Sequence, residues 1–351
     1  EKGDEEIRAR FKKIVDTCIK GQTELFSLLG IKYDKFDYES DFLWEKETAK
    51  VLENFRKKGK LFTDEDNRQV LDQKGYKLAM KSPVLVLTRA DGTSLYPLRD
   101  IAYTLEKVKK KPDQNIIVLG EDQKLYFEQV EAALDMLGYK APTPIHYSFV
   151  LLRTGKMSTR KGNLVLLEEF MEEAAKKAEE EIKKRNKDIK SKELDRLAKQ
   201  IGYGAIKYAI LKVSPEKNVV FDWESALSFE GESAPYIQYA HARISSILRK
   251  HGKKGIKGDT SYLKEGIELR LVRQLADFED ISSSSLSDLE LQPIANYSYN
   301  LAKSFNEFYH SCQILKEDDD IKQARLFLIS CIAQVLKNAL GLLGIEAPEH
   351  M

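Results

Sequence analysis

Residues 155–163, Gly-Lys-Met-Ser-Thr-Arg-Lys-Gly-Asn, place three cations, two hydroxyls and two glycines within one short loop. An apolar run from Ile145 to Leu152 precedes it and predicts a strand. A basic, hydroxyl-bearing loop after a strand suits a polyphosphate whose charge grows during reaction. Lys156, Arg160 and Lys161 would meet that charge, Ser158 and Thr159 would donate hydrogen bonds, and Gly155 and Gly162 would let the backbone come close. The same composition also describes a solvated basic turn, and composition alone leaves both readings open.

A second cluster is Asp91-Gly92-Thr93-Ser94-Leu95-Tyr96-Pro97-Leu98-Arg99-Asp100. Asp91-Gly92 predicts a turn, and Pro97 is well placed in the first turn of a helix. Tyr96 and Asp100 are four apart and so share a helix face. A phenol beside a carboxylate suits a cationic ligand, since a guanidinium can give a carboxylate two parallel N–H bonds. The alternative has Asp100 complementing the helix N-terminus and Tyr96 as a core aromatic. A third cluster runs from Phe221 to Gly231 and on from Ser233 through Tyr236, Tyr239 and His241 to Arg243. Tyr236, Tyr239 and Arg243 fall on one helix face, where rings and a guanidinium could stack on unpaired bases or pack on neighbouring helices. His146 and His241 have no Cys, Asp or second His at ligand spacing, so no bound zinc is expected.

The elements that must position these groups follow from apolar periodicity. Residues 1–82 mix helical patterns (Ile7, Phe11, Ile14, Val15, Cys18, Ile19; then Glu47 to Lys58) with turns at Gly59 and Gly75. Residues 83–167 alternate apolar strands (Val84 to Leu87, Asn115 to Leu119, Ile145 to Leu152) with helices from Pro97 and from Glu121. That alternation predicts a parallel sheet covered on both faces, with ligands at the carboxyl ends of its strands. The basic loop, Gly120 to Gln123 and the segment after Leu87 all sit at such ends. From residue 168 to 351 nearly everything reads as helix: 168–187, 192–213, 233–250, 266–284, 292–315 and 321–343, with only Val219 to Phe221 extended. The fold class is α/β followed by all-α.

Composition bounds the rest. The 351 residues, 42% hydrophobic and 32% charged, are enough for two or three cores beneath a charged surface. No uninterrupted apolar stretch is long enough to span a bilayer, so no membrane is expected. The net charge of +1 neither favours nor excludes a nucleic acid. Cys18, Cys312 and Cys331 show no metal or disulfide spacing and read as buried or half-buried thiols of a reducing cytoplasm.

The motifs carry a resemblance over about Pro83 to Met351. Met157-Ser158-Thr159-Arg160-Lys161-Gly162 resembles the second nucleotide-binding signature of class I aminoacyl-tRNA synthetases, in the form of the arginyl enzymes. Thr159 stands where most of the class has a second lysine, which displaces that cation to Arg160 or Lys161. Asp-Gly-Thr-Ser-Leu-Tyr-x-x-Arg-Asp-Ile-Ala is similar to the family's arginine-binding segment, and Val118 to Gln123 to another pocket segment. Gly-Glu-Ser-Ala-Pro-Tyr-Ile-Gln-Tyr-Ala-His-Ala-Arg is similar to the opening helix of its anticodon-binding domain, and the tail from Leu342 to Met351 resembles the family terminus.

The resemblance implies the second half of a Rossmann-like parallel-sheet catalytic domain at 83–167. It implies a helical-bundle anticodon-binding domain at 168–351 and a connective part at 1–82. Lys156, Met157, Ser158, Arg160 and Lys161 would form the catalytic loop. Tyr96, Asp100 and Gln123 would select arginine, and Tyr236, Tyr239, Arg243 and Met351 would contact tRNA. ATP is implied as substrate with Mg²⁺, and tRNA for arginine as partner of a cytoplasmic monomer. The family's His-Ile-Gly-His-type motif is absent from this sequence, so the chain is expected to be a C-terminal fragment without the N-terminal domain. In isolation it could instead be a non-catalytic anticodon-binding module.

Overall fold

The computed structural model describes residues 4–44, 46–152, 166–186, 188–252, 256 and 258–351. It divides into two compact units, Glu1–Ser148 and Phe149–Met351.

The first unit opens with α1 (Glu5–Leu28), capped by Asp4, whose side chain accepts from the N–H groups of Glu6 and Ile7 at 3.0 Å. No residue of α1 is buried; Phe11 is 65% and Ile14 61% exposed. Cys18 is accordingly exposed, which corrects the expectation of a buried or half-buried thiol, whereas Cys312 and Cys331 are half-buried. After α2 (Glu39–Trp44) and α3 (Glu47–Lys57) come β1 (Leu61–Thr63), β2 (Gln69–Asp72) and β3 (Val84–Val86). They form an antiparallel sheet in the order β1-β2-β3, with Val70 opposite both Phe62 and Val86. The run at Val84 to Leu87 was expected in a parallel sheet. A short apolar run fixes burial but not strand direction, and the turn around Gly75 (φ 101°) brings this one back against β2.

Helix α4 (Tyr96–Lys109) follows, then β4 (Ile116–Gly120), a 3-10 turn (Glu121–Gln123), α5 (Lys124–Leu137) and β5 (Thr143–Tyr147). β4 and β5 pair in parallel from Ile116↔Thr143 to Gly120↔Tyr147, with α5 as the crossover. Gly138 closes α5 in the left-handed conformation (φ 83°), satisfying carbonyls of the last turn. Phe55, Leu71, Leu87, Leu98, Ile101 and Leu134 are fully buried and tie these elements into one core.

The second unit begins with β6 (Val150–Leu152), so the strand read from Ile145 to Leu152 is two strands. β6 pairs in parallel with β7 (Val219–Phe221), the expected extended segment. Between them lie α6 (Leu167–Arg185) and α7 (Ser191–Leu211). The two cross so closely that a Cβ on Gly202 would lie 2.7 Å from the backbone of Ala174. Then come α8 (Trp223–Ala226), α9 (Ala234–His251), α10 (Gly266–Asp288), α11 (Gln292–Ser311) and α12 (Asp319–Leu342). Each of the long helices expected beyond residue 167 forms, within a few residues of its expected ends.

By length and composition α12 could cross a bilayer. Uninterrupted apolar runs miss it because its charges sit near its ends and polar residues are scattered through it. Its Leu326, Ile329, Ile332, Leu336 and Leu340 are fully buried among α9, α10 and α11, so its apolarity is that of a core helix. At the base of α12 the Arg325 guanidinium reaches Glu268 Oε1 on α10 at 2.6 Å, with both side chains almost inaccessible. Glu268 also accepts from the N–H groups of Lys264 and Glu265, closing a capping box.

Candidate functional site

The first cluster lies in the first unit, at the start of α4. Leu95 N–H donates to the Leu87 carbonyl at 2.8 Å, and Thr88 bridges Ser94, so the chain doubles back after β3. Gly92 (φ 83°) makes that turn, and Asp91 accepts from the Thr93 N–H at 3.0 Å and from its hydroxyl at 2.7 Å. Pro97 then starts the helix and projects Tyr96 and Asp100 from one face.

Tyr96 is half exposed and its ring packs 5.3 Å from that of Tyr126 on α5. The Tyr126 hydroxyl donates to Asp100 Oδ2 at 2.6 Å. Burial pushes the Asp100 carboxyl above its ordinary value, and the Tyr126 hydroxyl, Lys107, Tyr96 and Arg99 pull it part of the way back. Burial and the Asp100 charge push the Tyr126 phenol up strongly, so it remains a donor. Gln123, three residues before Tyr126, has a buried side-chain oxygen with no hydrogen-bond partner among the described residues. Gly120 leaves room for this turn, because a Cβ there would lie 2.6 Å from Asp122 Oδ1. A carboxylate framed by phenols, with an unsatisfied amide oxygen in the 3-10 turn that leads into α5, can accept N–H donors from a cationic ligand.

The second cluster lies in the other unit. Ser233 caps α9, accepting from the Tyr236 N–H at 3.3 Å. Tyr236, Tyr239 and Arg243 then line a groove of about 790 Å³, together with Arg185, Phe229, Asn306 and Met351. The Arg243 guanidinium lies 4.7 Å from the Tyr239 ring and 4.8 Å from that of Tyr309. It donates to Asn306 Oδ1 at 3.0 Å and to the Tyr239 hydroxyl at 3.2 Å. Arg185 sits 4.0 Å from the Phe229 ring.

Side chains of α7 and α9 hold the tail that carries Met351. Gln238 donates to the Glu346 carbonyl at 2.8 Å, Arg249 to that of Glu349 at 2.9 Å, and Lys207 to that of Gly344. His241 Nδ1 lies 2.9 Å from the Pro348 carbonyl, so that nitrogen carries the proton. The result is a groove of aromatic faces and fixed cations, which suits unstacked bases and phosphates.

Thus Tyr96 and Asp100 come together, with Gln123 close in sequence to their partner Tyr126, and Tyr236, Tyr239, Arg243 and Met351 share one groove. Lys156, Met157, Ser158, Arg160 and Lys161 lie outside the described residues. Among the described residues no group of three or more His, Cys, Asp or Glu could hold a metal ion. Sequence reasoning missed Tyr126, Asn306 and Tyr309, and gave no role to Arg185 or Phe229. Tyr126 carried a weak signal, three residues beyond Gln123. Asn306 and Tyr309 share a face of α11 but reach Arg243 only through the tertiary fold.

A family profile described as the catalytic domain of class I tRNA synthetases (R) matches residues 1–223, and that of the DALR anticodon binding domain matches 237–351. The chain belongs to the arginyl-tRNA synthetase family. It is 42% identical over 352 residues to the arginine–tRNA ligase of Methanocaldococcus jannaschii, covering 99% of this chain and 60% of that protein. Arginyl-tRNA synthetase of Thermus thermophilus superposes with a TM-score of 0.89 at 28% identity, over 98% of this chain and 65% of that one. That of Plasmodium falciparum gives 0.84 at 22% identity, over 99% and 60%, a likeness of fold. The chain spans about 60% of the length of the curated relatives it matches. Within this arginyl-tRNA synthetase chain the Asp100 cluster falls in the catalytic match, whereas the groove lined by Tyr236 and Tyr239 takes Arg185 from the catalytic match and Tyr239, Arg243, Asn306 and Met351 from the anticodon-binding match.

Proposed function

We propose that the polypeptide carrying this chain is an arginine–tRNA ligase. One arginine carboxylate oxygen would attack the α-phosphorus of ATP, breaking the bond to the β-phosphate and releasing pyrophosphate. A ribose hydroxyl at the tRNA 3′ end would then attack the arginyl carbonyl, and AMP would leave. The observation that carries this reading is the Asp100 carboxylate, held by Tyr126 beside Tyr96 in a segment matched to the catalytic profile.

On this reading Asp100 and Tyr96 bind the guanidinium and Gln123 offers its free oxygen to another N–H donor of the substrate. The basic loop at 155–163 meets the leaving pyrophosphate by charge and hydrogen bonding rather than by acid–base chemistry. Mg²⁺ would travel with the ATP phosphates, since among the described residues no group of three or more His, Cys, Asp or Glu is placed to hold it. The groove of Tyr236, Tyr239, Arg243 and Met351 would take unpaired anticodon bases. The catalytic match over 1–223 favours this reading over a non-catalytic anticodon-binding module. A cytoplasmic, monomeric enzyme goes with it.

The test is charging of unfractionated tRNA with radiolabelled arginine by the natural polypeptide, beside lysine and ornithine. ATP-dependent charging with arginine alone is expected. Failure to charge arginine, or equal charging with lysine, would sink the reading.

A further inference from the structure

Asp100 is held in an unusual way for a half-buried carboxylate. Buried charges are ordinarily paired with an opposite charge. Among the described residues, no cation lies within ion-pair distance of Asp100. The neighbouring Arg99 is turned to Glu39 on α2, with Nε 2.8 Å from its carboxylate. Lys107, two turns along α4, rests over the Tyr103 ring at 4.4 Å. Its hydrogen-bonding partners are neutral hydroxyls, that of Tyr126 at 2.6 Å and, with a smaller effect, that of Tyr96 on its own helix.

That arrangement leaves the negative charge without a paired cation, offset only at longer range by Lys107 and Arg99, and therefore available to a ligand cation. It also occupies Oδ2 with one donor, leaving the remaining lone pairs of the carboxylate for a planar N–H fork. The short O–H···O contact is of the charge-assisted kind.

We propose that Tyr126 is a positioning residue for arginine recognition, whose hydroxyl fixes the orientation of the Asp100 carboxylate and favours its ionised form. The inference rests on the arginine-selecting role proposed for Asp100. Tyr126 acts through Asp100 and need not touch the substrate. The ring contact with Tyr96 keeps the hydroxyl on target, since the two phenols brace each other from different helices.

The groups facing Asp100 define the expected pH behaviour. On α4 these are Tyr96, Arg99 and Lys107; from α5 comes Tyr126. Glu39 on α2 acts through Arg99, and Asp37, just before α2, acts on Lys107. Glu47 on α3 is engaged with Lys50 and Lys109, at the far end of α4. Arginine binds the ionised carboxylate, so affinity falls as pH falls through the Asp100 pKa of the free protein. Burial already raises that pKa, and removing the Tyr126 donor raises it further.

The experiment compares Tyr126→Phe with wild type in the natural full-length polypeptide. Phenylalanine keeps the ring contact and removes only the hydroxyl. Arginine KM and kcat are measured by tRNA charging from pH 5 to 8, and arginine affinity by calorimetry. We expect KM to rise about tenfold, as for loss of a hydrogen bond to a charged group, with kcat at saturating arginine nearly unchanged. The acid limb of kcat/KM should move to higher pH. Unchanged KM and acid limb, in a wild type that charges arginine, overturn the inference and leave the function intact. So does a loss confined to kcat without a pH shift, which is the mark of a merely structural residue. A wild type that neither charges nor binds arginine overturns both. If Tyr126→Phe folds poorly, the calorimetric acid limb of Tyr96→Phe and wild type decides. Tyr96→Phe leaves the Tyr126 bond in place and should shift the limb less than Tyr126→Phe measured on its folded fraction; an equal or larger shift overturns the inference.

Discussion

Asp100→Asn separates ligand recognition from stability, because the two should move in opposite directions. In the folded protein Asp100 accepts from the Tyr126 hydroxyl at 2.6 Å, with the Tyr96 hydroxyl as a lesser donor, and has no cation within ion-pair distance among the described residues. Asparagine keeps the shape and an oxygen for Tyr126 but removes the charge and one acceptor. Hydrogen bonds to charged groups contribute about 1.5–3 kcal/mol each, and a guanidinium fork uses two in parallel. A net loss of about 3 kcal/mol of arginine binding follows, and at about 1.4 kcal/mol per tenfold it corresponds to roughly a hundredfold in affinity.

Stability behaves differently. Burial raises the Asp100 pKa above its ordinary 3.8. Between the unfolded value and the raised folded value the native state binds more protons, so stability falls as pH rises through that window. Above it the penalty is complete. The variant carries no such penalty and should unfold at the same or a higher temperature than wild type at pH 7. Arginine calorimetry and thermal unfolding from pH 3 to 7 read both effects. An affinity within twofold of wild type, or a clear loss of stability at pH 7, would refute the reasoning.

The packing and the groove give further expectations. Gly202→Ala would drive a methyl to 2.7 Å from the Ala174 backbone, force α6 and α7 apart and cost about 2 kcal/mol, visible as a lower Tm. Arg325→Met strands the nearly inaccessible Glu268 without its cation, so a loss of about 3 kcal/mol or more is expected by denaturant titration. Tyr239→Ala removes a stacking face and one partner of Arg243, and should weaken tRNA binding about tenfold in a filter assay while arginine affinity stays put. His241 is buried and its pKa is lowered, mainly by burial, so its contribution is intact above the ordinary 6.5 and is lost as pH falls through the folded value. His241→Gln should therefore flatten the decline of Tm between pH 7 and pH 5.

Much of this was legible because it is local. Helical periodicity located the helices beyond residue 167, and the Tyr236, Tyr239, Arg243 face of α9 reads directly from one helical repeat. The Tyr96–Asp100 spacing did the same for α4. What escaped depends on contacts distant in sequence. Val84 to Val86 is apolar and short, and only its register with Gln69 to Asp72 makes it antiparallel. Tyr126 reaches Asp100 across 26 positions, and Asn306 reaches Arg243 across 63. Cys18 lies on an apolar-looking helix face that α1 leaves exposed, so periodicity signalled burial where there is none.

Both clusters follow one physical plan. A charged group that would recognise a ligand is first immobilised by neutral or aromatic neighbours that leave its charge free. Asp100 is held by a phenol, and Arg243 lies between two tyrosine rings with an amide oxygen on one edge. Holding such groups with counter-ions would also fix them, but a ligand would then have to displace the counter-ion and strand it. Fixing them with hydroxyls, rings and amides avoids that penalty and removes rotamer entropy before the ligand arrives. The cost appears in the free protein at Asp100, as a carboxylate with a raised pKa, which is why substitution there should trade recognition against stability rather than lose both together.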